Sequence, residues 1–376
     1  MFLPLVGPIF RNVMRVVSTV VYLLTILSAF GGKFNPQYFT IPAVFTLALP
    51  YFAIATGVLV IFWACMRKLI FTGLGVGTII LCMAPMAQAF PFGSKKSPTE
   101  GKLKFSLMSY NILHTDDRQD PQYPGNRAVE FILHSGMDIV CLAELHNFTP
   151  EEFKKASPQL VDSLIRAYPY RAGLSSTDIK VMSKYPVERT GYKWDGERYG
   201  WSQRFDLFKV HFPGGHTLNL AMVHLYSYDL SEDERKVVTG MRSAKGMKNS
   251  AKEFKSTIYS KLRNAFQRRA ENAALLRKEI DRISGPLIVC GDFNDVPGCY
   301  AIRTLTDTGM LDAWRESAIG PAITYHASRL YFRIDHILYS PEIVTPLRTR
   351  RLDWPYSDHY PVEMTFVLHQ TTSSSD

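Results

Sequence analysis

The run Leu287-Ile288-Val289-Cys290-Gly291-Asp292-Phe293-Asn294-Asp295 is the stretch that decides the fold. Its four leading apolar residues, bounded by Pro286 and Gly291, predict a short strand that is buried on both faces. Two carboxylates and an amide follow at once, where the chain leaves that strand. Loops that are held by rigid strands are common positions for binding and catalytic side chains. The segment therefore predicts a buried β-strand that ends in a functional loop.

The same arrangement recurs at other strand-like runs of the chain. The polar and acidic residues that lie just past such runs are Asn111, Glu144, His224, Asp292, Asn294, Asp335, Asp358 and His359. If the strand ends gather at one edge of a sheet sandwich, these side chains meet there. Their four carboxylates would repel one another without a counter-charge. A hard divalent cation with oxygen ligands resolves that repulsion, and we expect Mg²⁺, with Mn²⁺ as an alternative.

At six places the residues resemble the motifs of the endonuclease/exonuclease/phosphatase superfamily. The six are Ser109-Tyr110-Asn111-Ile112-Leu113, Leu142-Ala143-Glu144-Leu145, Val223-His224-Leu225, Gly291-Asp292-Phe293-Asn294-Asp295, Arg333-Ile334-Asp335-His336-Ile337 and Ser357-Asp358-His359-Tyr360-Pro361-Val362. They occur in the order that the family has and cover roughly residues 103–367. Ala143 replaces the glutamine that is usual in the second motif, a departure outside the ligand itself.

The resemblance implies an α/β fold, a four-layer α-β-β-α sandwich of the DNase I-like type with two mostly antiparallel sheets. It also implies that Glu144 is the principal metal ligand, that Asn111 helps it, and that Asp358 supports the metal or its water shell. The catalytic residues that it implies are His224, Asp292, Asn294, Asp335 and His359.

The resemblance also assigns a role to each catalytic residue. Asp292 and Asn294 would align the attacking water and hold the phosphate. His359 would act as a general base or as a charged phosphate clamp, with Asp335 fixing its tautomer. His224 would contact the phosphate and protonate the leaving oxygen.

The predicted activity is metal-dependent hydrolysis of phosphoester bonds by direct attack of water. A bound cation neutralises charge on the phosphoryl oxygens, and a His–Asp pair activates water near neutral pH. A phosphodiesterase or nuclease is the leading prediction, and a sphingomyelinase-like phospholipid phosphodiesterase or an inositol-phosphate phosphatase is the alternative. A function of another class is an inactive, membrane-bound interaction module. Such a module would lack some ligands, and none is missing.

Residues 1–92 differ from the rest of the chain, because they contain no Asp or Glu and only five basic residues. Three apolar stretches, at about 13–32, 41–66 and 69–90, predict three transmembrane helices. A bilayer core needs about 20 apolar residues in a helix. A cleaved signal peptide is the alternative for the first stretch, but the two stretches that follow favour a membrane anchor. We therefore expect an integral protein of the inner or plasma membrane.

The basic residues bear on the orientation in the membrane. Arg11 and Arg15 precede the first span, and Arg67 and Lys68 separate the second from the third. Both pairs lie in the cytoplasm if the N-terminus does. Three spans then place the catalytic part on the non-cytoplasmic side, although the lysines within 93–104 favour the opposite orientation.

The predicted units are a membrane region over 1–92, a polar linker over 93–102, a catalytic domain over 103–369 and a disordered tail over 370–376. Five cysteines show no Cys-x-x-Cys pair and no Cys/His spacing of a zinc site. These patterns exclude a zinc-finger type of protein.

A basic segment runs from Arg242 to Arg269, with nine Lys or Arg against the single acid Glu253. It is either a solvated helix face or a strip that binds a polyanion. In the second case its partner is nucleic acid or a phospholipid surface. The candidate substrate contacts are then Lys245, Lys248, Lys252 and Lys255. The sequence does not predict the oligomeric state.

Overall fold

Four apolar helices form the N-terminal part of the computed structural model. The structure describes residues 7–94, 103–115, 122–149, 151–153, 155–190, 205–231, 234–235, 251–342 and 344–369. The helices are α1 (Pro8–Phe30), α2 (Thr40–Thr46), α3 (Leu49–Cys65) and α4 (Leu69–Ala89). By length and composition α1 and α4 can each cross a membrane, and the bent pair α2–α3 makes a third span if it is counted as one.

The second predicted span, at about 41–66, is a broken helix in the structure. Helices α2 and α3 meet at an angle of 67°. Pro50 lies in the first turn of α3, where its missing N–H costs nothing. In a continuous helix its ring would collide with the carbonyl of Thr46 four residues earlier. The chain therefore ends α2 at Thr46 and restarts the helix at Leu49.

Polar contacts join the membrane helices to one another. Thr25 and Thr56 share a hydrogen bond of 2.7 Å between their hydroxyl oxygens. The indole Nε1 of Trp63 donates to the Ser18 hydroxyl at 2.8 Å. Between apolar helices in lipid, such hydrogen bonds and close packing stabilise association where the hydrophobic effect cannot. The Tyr22 hydroxyl of α1 also donates to the Phe71 carbonyl of α4 at 3.2 Å. Helices α1, α3 and α4 thus form one bundle.

Two six-stranded sheets form the centre of the catalytic domain. Their strands are β1 (Leu103–Asn111), β2 (Ile139–Ala143), β3 (Tyr170–Ala172), β4 (Ile179–Ser183), β5 (Val187–Arg189), β6 (Phe205–His211), β7 (Thr217–His224), β8 (Leu287–Asp292), β9 (Leu311–Asp312), β10 (Asp335–Tyr339), β11 (Val344–Arg351) and β12 (Val362–Leu368). The strand orders are β11-β12-β1-β2-β4-β3 and β5-β6-β7-β8-β10-β9. Only β1–β2 and β7–β8 are parallel among the described pairings. The mostly antiparallel prediction is confirmed.

Apolar side chains between the sheets and on their outer faces divide the domain into layers. Phe105, Leu107 and Cys141 of the first sheet pack against residues of the second, such as Leu220 and Met222. The helices that cover the outer faces or edges are α5 (Arg127–Ser135), α6 (Pro158–Ala167), α7 (Ala251–Ile280), α8 (Tyr300–Thr306) and α9 (Ala313–Ser317). Helices α5 and α6 pack on the first sheet, and α7 and α8 on the second. The predicted four-layer α-β-β-α sandwich is therefore confirmed.

The apolar N-terminal helices contact the two-sheet domain directly. The Arg333 guanidinium donates to the Gln88 carbonyl at 3.0 Å. The Gln37 amide donates to the Gln267 carbonyl at 2.7 Å. A side chain at Gly32 would lie 1.9 Å from the Gly298 carbonyl oxygen, so only glycine permits this approach. One end of the helix bundle is thus seated on the domain.

The predicted domain boundaries stay predictions. Gly93, at the start of the predicted linker, donates its N–H to the Ala318 carbonyl at 2.8 Å. The rest of that linker, over 95–102, and the predicted tail over 370–376 lie outside the described residues.

Candidate functional site

The strand pairing brings the ends of both sheets to one edge. Asn111 at the end of β1 pairs with Ala143, which directly precedes Glu144. His224 at the end of β7 lies opposite Asp292, and Asp292 also lies opposite Asp335 across β10. Because parallel neighbours end on the same side of a sheet, the polar residues that follow them meet. The predicted convergence at one edge is present. However, Asp335 begins β10, and Asp358 and His359 precede β12, so these three reach the edge from strand starts and not from strand ends as predicted.

These side chains line a cavity of about 230 Å³. Its walls include Glu144, His224, Asp292, Asn294, Asp358 and His359. Asn111 and Asp335 are buried directly behind it. All eight residues that the sequence singled out as catalytic or metal-binding therefore occupy one site.

Asn111 connects the two sheets within this site. Its Nδ2 donates to Glu144 Oε1 at 3.0 Å and to Asp292 Oδ2 at 3.1 Å. Its backbone carbonyl accepts a hydrogen bond of 2.8 Å from the hydroxyl of Ser357, next to Asp358. The buried amide thus fixes the spacing of Glu144 and Asp292, and the backbone of the same residue holds the segment that carries Asp358.

Glu144 and Asp292 differ in their surroundings. The Glu144 side chain is 20% exposed, and the Asp292 side chain is 1% exposed. Glu144 also has a positive φ of 58°, an uncommon conformation for a residue with a side chain. Such strain persists only where the surrounding structure enforces it, as it often does at functional sites. The turn after β2 thus points Glu144 into the cavity.

The loop after β8 holds Asp292 by hydrogen bonds. The Asn294 N–H donates to Asp292 Oδ1 at 2.7 Å, and its side-chain amide donates to the Leu225 carbonyl at 3.0 Å. Gly291 has a φ of 138°, and a Cβ there would lie 1.9 Å from the Val223 carbonyl oxygen. Only glycine permits this close approach of β8 to β7.

His359 is paired with two carboxylates. Its Nδ1 donates to Asp335 Oδ2 at 2.8 Å, and its Nε2 lies 3.5 Å from Asp292 Oδ2. Burial acts to lower the pKa of His359, but the charges of Asp335 and Asp292 outweigh it and raise that pKa well above its usual value. Burial raises the pKa of Asp292, although His359 opposes that shift. The two carboxylates thus favour the protonated form of the His359 ring.

His224 has a partner that sequence reasoning missed. Its Nδ1 donates to Asp178 Oδ2 at 2.7 Å, and its Nε2 lies 3.8 Å from Glu144 Oε1. Burial acts to lower the pKa of His224, but the Asp178 carboxylate outweighs it and raises that pKa to about 9. Asp178 directly precedes β4, whereas the sequence pattern directed attention to residues that follow strands. The antiparallel pairing of β2 with β4 brings this strand start to the same edge.

A second residue missed by sequence reasoning is Arg235. It lines the cavity, and its guanidinium lies 6.0 Å from the centre of the Tyr325 ring. The Tyr325 ring in turn lies 5.0 Å from that of His359. Arg235 thus places a positive charge at the cavity opposite its acidic wall. Its position in a charge-rich segment gave no signal in the sequence.

The donor set fits a hard divalent cation. Within the described ranges, Asp292, Asp335 and His359 form a group whose possible ligand atoms lie within 4.8 Å of one another. The predicted ligands Glu144 and Asp358 line the same cavity, and the predicted ligand Asn111 lies behind it in contact with Glu144. Carboxylate and amide oxygens suit Mg²⁺ or Mn²⁺. The assignment of Asn111, Glu144 and Asp358 as ligands stays a prediction.

The basic segment from Arg242 to Arg269 is described only in part. Lys245 and Lys248 lie outside the described residues, and only the backbone is described at Lys252 and Lys255, so their predicted substrate contacts stay predictions. Arg269, at the end of the segment, is fully buried, and its Nε donates to Asp295 Oδ2 at 3.1 Å. This arginine is a structural residue and does not face a ligand.

Comparison with known proteins gives two family matches. Residues 108–359 match the model described as the Endonuclease/Exonuclease/phosphatase family. Residues 11–89 match a model described as Domain of unknown function (DUF8431). No curated protein matches the sequence.

Solved structures with a similar fold come from several organisms. An endonuclease/exonuclease/phosphatase from Bacteroides vulgatus is 18% identical at a TM-score of 0.45, with 71% of this chain and 100% of that chain covered. An endonuclease/exonuclease/phosphatase from Beutenbergia cavernae is 18% identical at a TM-score of 0.43, with 71% of this chain and 72% of that chain covered. The human Nocturnin catalytic domain with bound sulfate is 17% identical at a TM-score of 0.42, with 71% of this chain and 96% of that chain covered. Identities this low say nothing about the substrate.

Proposed function

The chain belongs to the endonuclease/exonuclease/phosphatase family, and from that premise we propose that it is a membrane-anchored phosphodiesterase that depends on Mg²⁺ or Mn²⁺. Members of this family are typically metal-dependent hydrolases of phosphoester bonds. The observation that carries the proposal is the pair of histidine–carboxylate contacts, His359–Asp335 and His224–Asp178, that face Asp292 from two sides. No residue of the predicted set is missing, which disfavours an inactive interaction module.

The cation would be held by Glu144, Asn111 and Asp358 next to Asp292. When bound, it would neutralise charge on the phosphoryl oxygens. Glu144 is suited to this contact because it is the more exposed of the central carboxylates. Asn111 supports it by holding Glu144 and Asp292 at a fixed spacing.

The protein groups divide the proton transfers between them. Asp292, with a pKa raised by burial, accepts the proton of the attacking water, because a carboxylate with a raised pKa is a better base. Asn294 fixes the orientation of that carboxylate. His359 binds a phosphoryl oxygen as a cation, so the raised pKa favours the phosphate clamp over the general base for this residue. His224 gives its proton to the leaving oxygen as the P–O bond breaks.

The proposal is tested with the full chain in detergent micelles and bis(p-nitrophenyl) phosphate as a soluble diester. We expect hydrolysis with Mg²⁺ or Mn²⁺ and none after chelation with EDTA. DNA, RNA and phospholipid are assayed in parallel. A pure protein that binds the cation but cleaves none of these diesters would contradict the proposal.

Replacement of Asp178 by asparagine is expected to lower kcat by about 10-fold to 100-fold, because His224 loses the carboxylate that orients it. It is also expected to lower the pKa of His224, since the Asp178 charge is what raises it. A proton donor with a lower pKa is lost at lower pH, so the alkaline limb of the pH–rate profile should move to lower pH. Glu188→Gln, which removes the exposed partner of His211, is the matched control. An unmoved alkaline limb would exclude His224 as the proton donor.

The position of the basic residues supports the proposed orientation with the catalytic domain outside the cytoplasm. The Phe10 and Phe62 rings lie 6.5 Å apart, so the start of α1 and the end of α3 share one end of the bundle. That end carries Arg11 and Arg67, whereas the domain is seated on the other end near Gly32. Basic residues favour the cytoplasmic side.

A reporter fused after Asp376 tests this orientation. We expect alkaline phosphatase, which folds only outside the cytoplasm, to be active at that position. We expect green fluorescent protein to be dark there when exported through the same route. The reverse pattern would place the catalytic domain in the cytoplasm.

A further inference from the structure

A second cavity, of about 220 Å³, lies between the membrane helices and the catalytic domain. On the membrane side it is lined by the break between α2 and α3, including Leu47 and Pro50, and by the end of α4. On the domain side it is lined by the segments 296–297, 321–323 and 331–333. We call this cavity the junction groove. Its walls are mainly apolar, although it borders a hydrolytic site.

The junction groove and the catalytic cavity share a wall. Phe332 lines both of them. Its backbone pairs with that of Tyr325 through bonds of 2.9 and 3.2 Å, and the Tyr325 ring lies 5.0 Å from the ring of His359. Val296 of the groove follows Asn294 by two residues. A single molecule could therefore place one part in the groove and another in the catalytic cavity.

The domain surface around the groove is unusually apolar. Among the large hydrophobic residues described in the catalytic domain, Ile319 at 76% and Tyr331 at 54% are the most exposed. Both lie at the junction, because Tyr331 lines the groove and Ile319 pairs with Phe92, itself 87% exposed. Exposed apolar clusters mark surfaces that meet a partner or a membrane, and aromatic residues prefer the membrane interface. This face of the domain is suited to rest on the lipid surface.

We propose that the substrate is a glycerophospholipid, with an acyl chain in the junction groove and the phosphodiester in the catalytic cavity. The proposal rests on the phosphodiesterase function proposed above and names its substrate class. The groove lies against the break in the second span, since Thr46, Leu47 and Pro50 at that break line it. The apolar helices place this groove where lipid chains are present.

The charges around the two cavities favour a lipid over a nucleic acid. A nucleic acid groove needs Lys or Arg side chains along several consecutive phosphates. Among the described lining residues of both cavities the arginines are Arg235 and Arg333. Arg333 is already paired with Asp312 at 2.7 Å. The described walls of the two cavities thus carry few cations beside much apolar surface, which suits a single phosphodiester group with an apolar tail better than a polynucleotide.

The experiment uses the full chain in nanodiscs that contain phosphatidylcholine, phosphatidylethanolamine and phosphatidylglycerol. Leu47→Trp and Ile323→Trp fill the groove from its two opposite walls. For each variant we expect hydrolysis of the lipids, followed by phosphorus NMR, to fall by about tenfold or more. We expect hydrolysis of bis(p-nitrophenyl) phosphate to stay within a factor of two, which also shows that the catalytic domain is folded. Leu74→Trp, at an exposed position of α4 outside the groove, is the matched control.

Several outcomes would overturn the proposal while leaving the phosphodiesterase function intact. One is lipid hydrolysis by both groove variants at the rate of the parent. Another is a parent that cleaves bis(p-nitrophenyl) phosphate and DNA or RNA but none of the lipids. In either case the groove does not hold the substrate.

A binding measurement separates the groove from catalysis. A phosphatidylcholine that carries a diazirine at the end of one acyl chain is photolysed in nanodiscs with the inactive Asp292→Asn variant. We expect labelled peptides from 46–54 and 321–333, and less label there in Leu47→Trp. Label confined to the outer faces of α1 and α4 would contradict the binding of an acyl chain in the junction groove. A parent protein that hydrolyses none of the substrates would refute the proposed function. The labelling would still show whether an acyl chain binds in the junction groove.

Discussion

Replacement of Asp292 by asparagine is expected to reduce kcat on bis(p-nitrophenyl) phosphate by about 10²-fold to 10⁴-fold, the range of a lost general base. Asparagine keeps the outline of the side chain and can still accept from the Asn294 N–H. It removes the negative charge that accepts the proton of the water. It also removes one of the charges that raise the pKa of His359, so that pKa should fall.

The measurement combines kinetics with NMR of the histidine ring. We expect the loss in kcat with little change in KM, and a His359 titration that moves to lower pH. Asp281→Asn makes the same chemical change at an exposed residue that pairs with Arg277, and it should behave like the parent. Turnover within a factor of ten of the parent would show that another group takes the proton.

Replacement of Glu144 by glutamine is expected to raise the Mg²⁺ concentration for half-maximal activity by about tenfold or more. Glutamine keeps the shape and one oxygen donor but removes the charge that attracts the cation. Mg²⁺ should therefore raise the Tm of the parent and do so much less for the variant, because a ligand stabilises the folded state that binds it. This thermal readout does not depend on turnover.

The two possible metal positions give different results in this experiment. If Glu144 and Asn111 hold the cation, Asp335→Asn leaves the thermal response to Mg²⁺ intact and lowers kcat through His359. If the cation lies among Asp292, Asp335 and His359, Asp335→Asn removes the thermal response and Glu144→Gln does not. The second result would overturn the ligand set proposed here.

The local patterns of the sequence indicated the catalytic edge, and its resemblance to a known family implied the layers of the domain. Local signals were sufficient, because each apolar run was short, was bounded by turn residues and ended in a polar group. Asn111, Glu144 and Asp292 could be assigned to one site, since the strands that carry them had to share a buried core. The charge-free composition of residues 1–92 likewise indicated membrane helices before any contact was known.

Only the tertiary structure revealed the partners that come from distant parts of the chain. Asp178 precedes its strand, and it reaches His224 because β4 runs antiparallel to β2. Arg269 belongs to a basic run in the sequence, but the packing of α7 buries it against Asp295. In both residues the local pattern is ambiguous, and a partner from another element decides the role.

The contacts between the N-terminal helices and the catalytic domain could not be predicted from the sequence either. Gly32 against Gly298, and Gln88 against Arg333, are contacts between residues more than 200 positions apart. Their residue types carry no periodicity or motif, since a glycine or a backbone carbonyl can meet many partners. Pro50 is tolerable within a single membrane helix by its sequence alone, and only the structure places a break between Thr46 and Leu49. Local chemistry fixed which elements form, and long-range packing decided which of their surfaces meet.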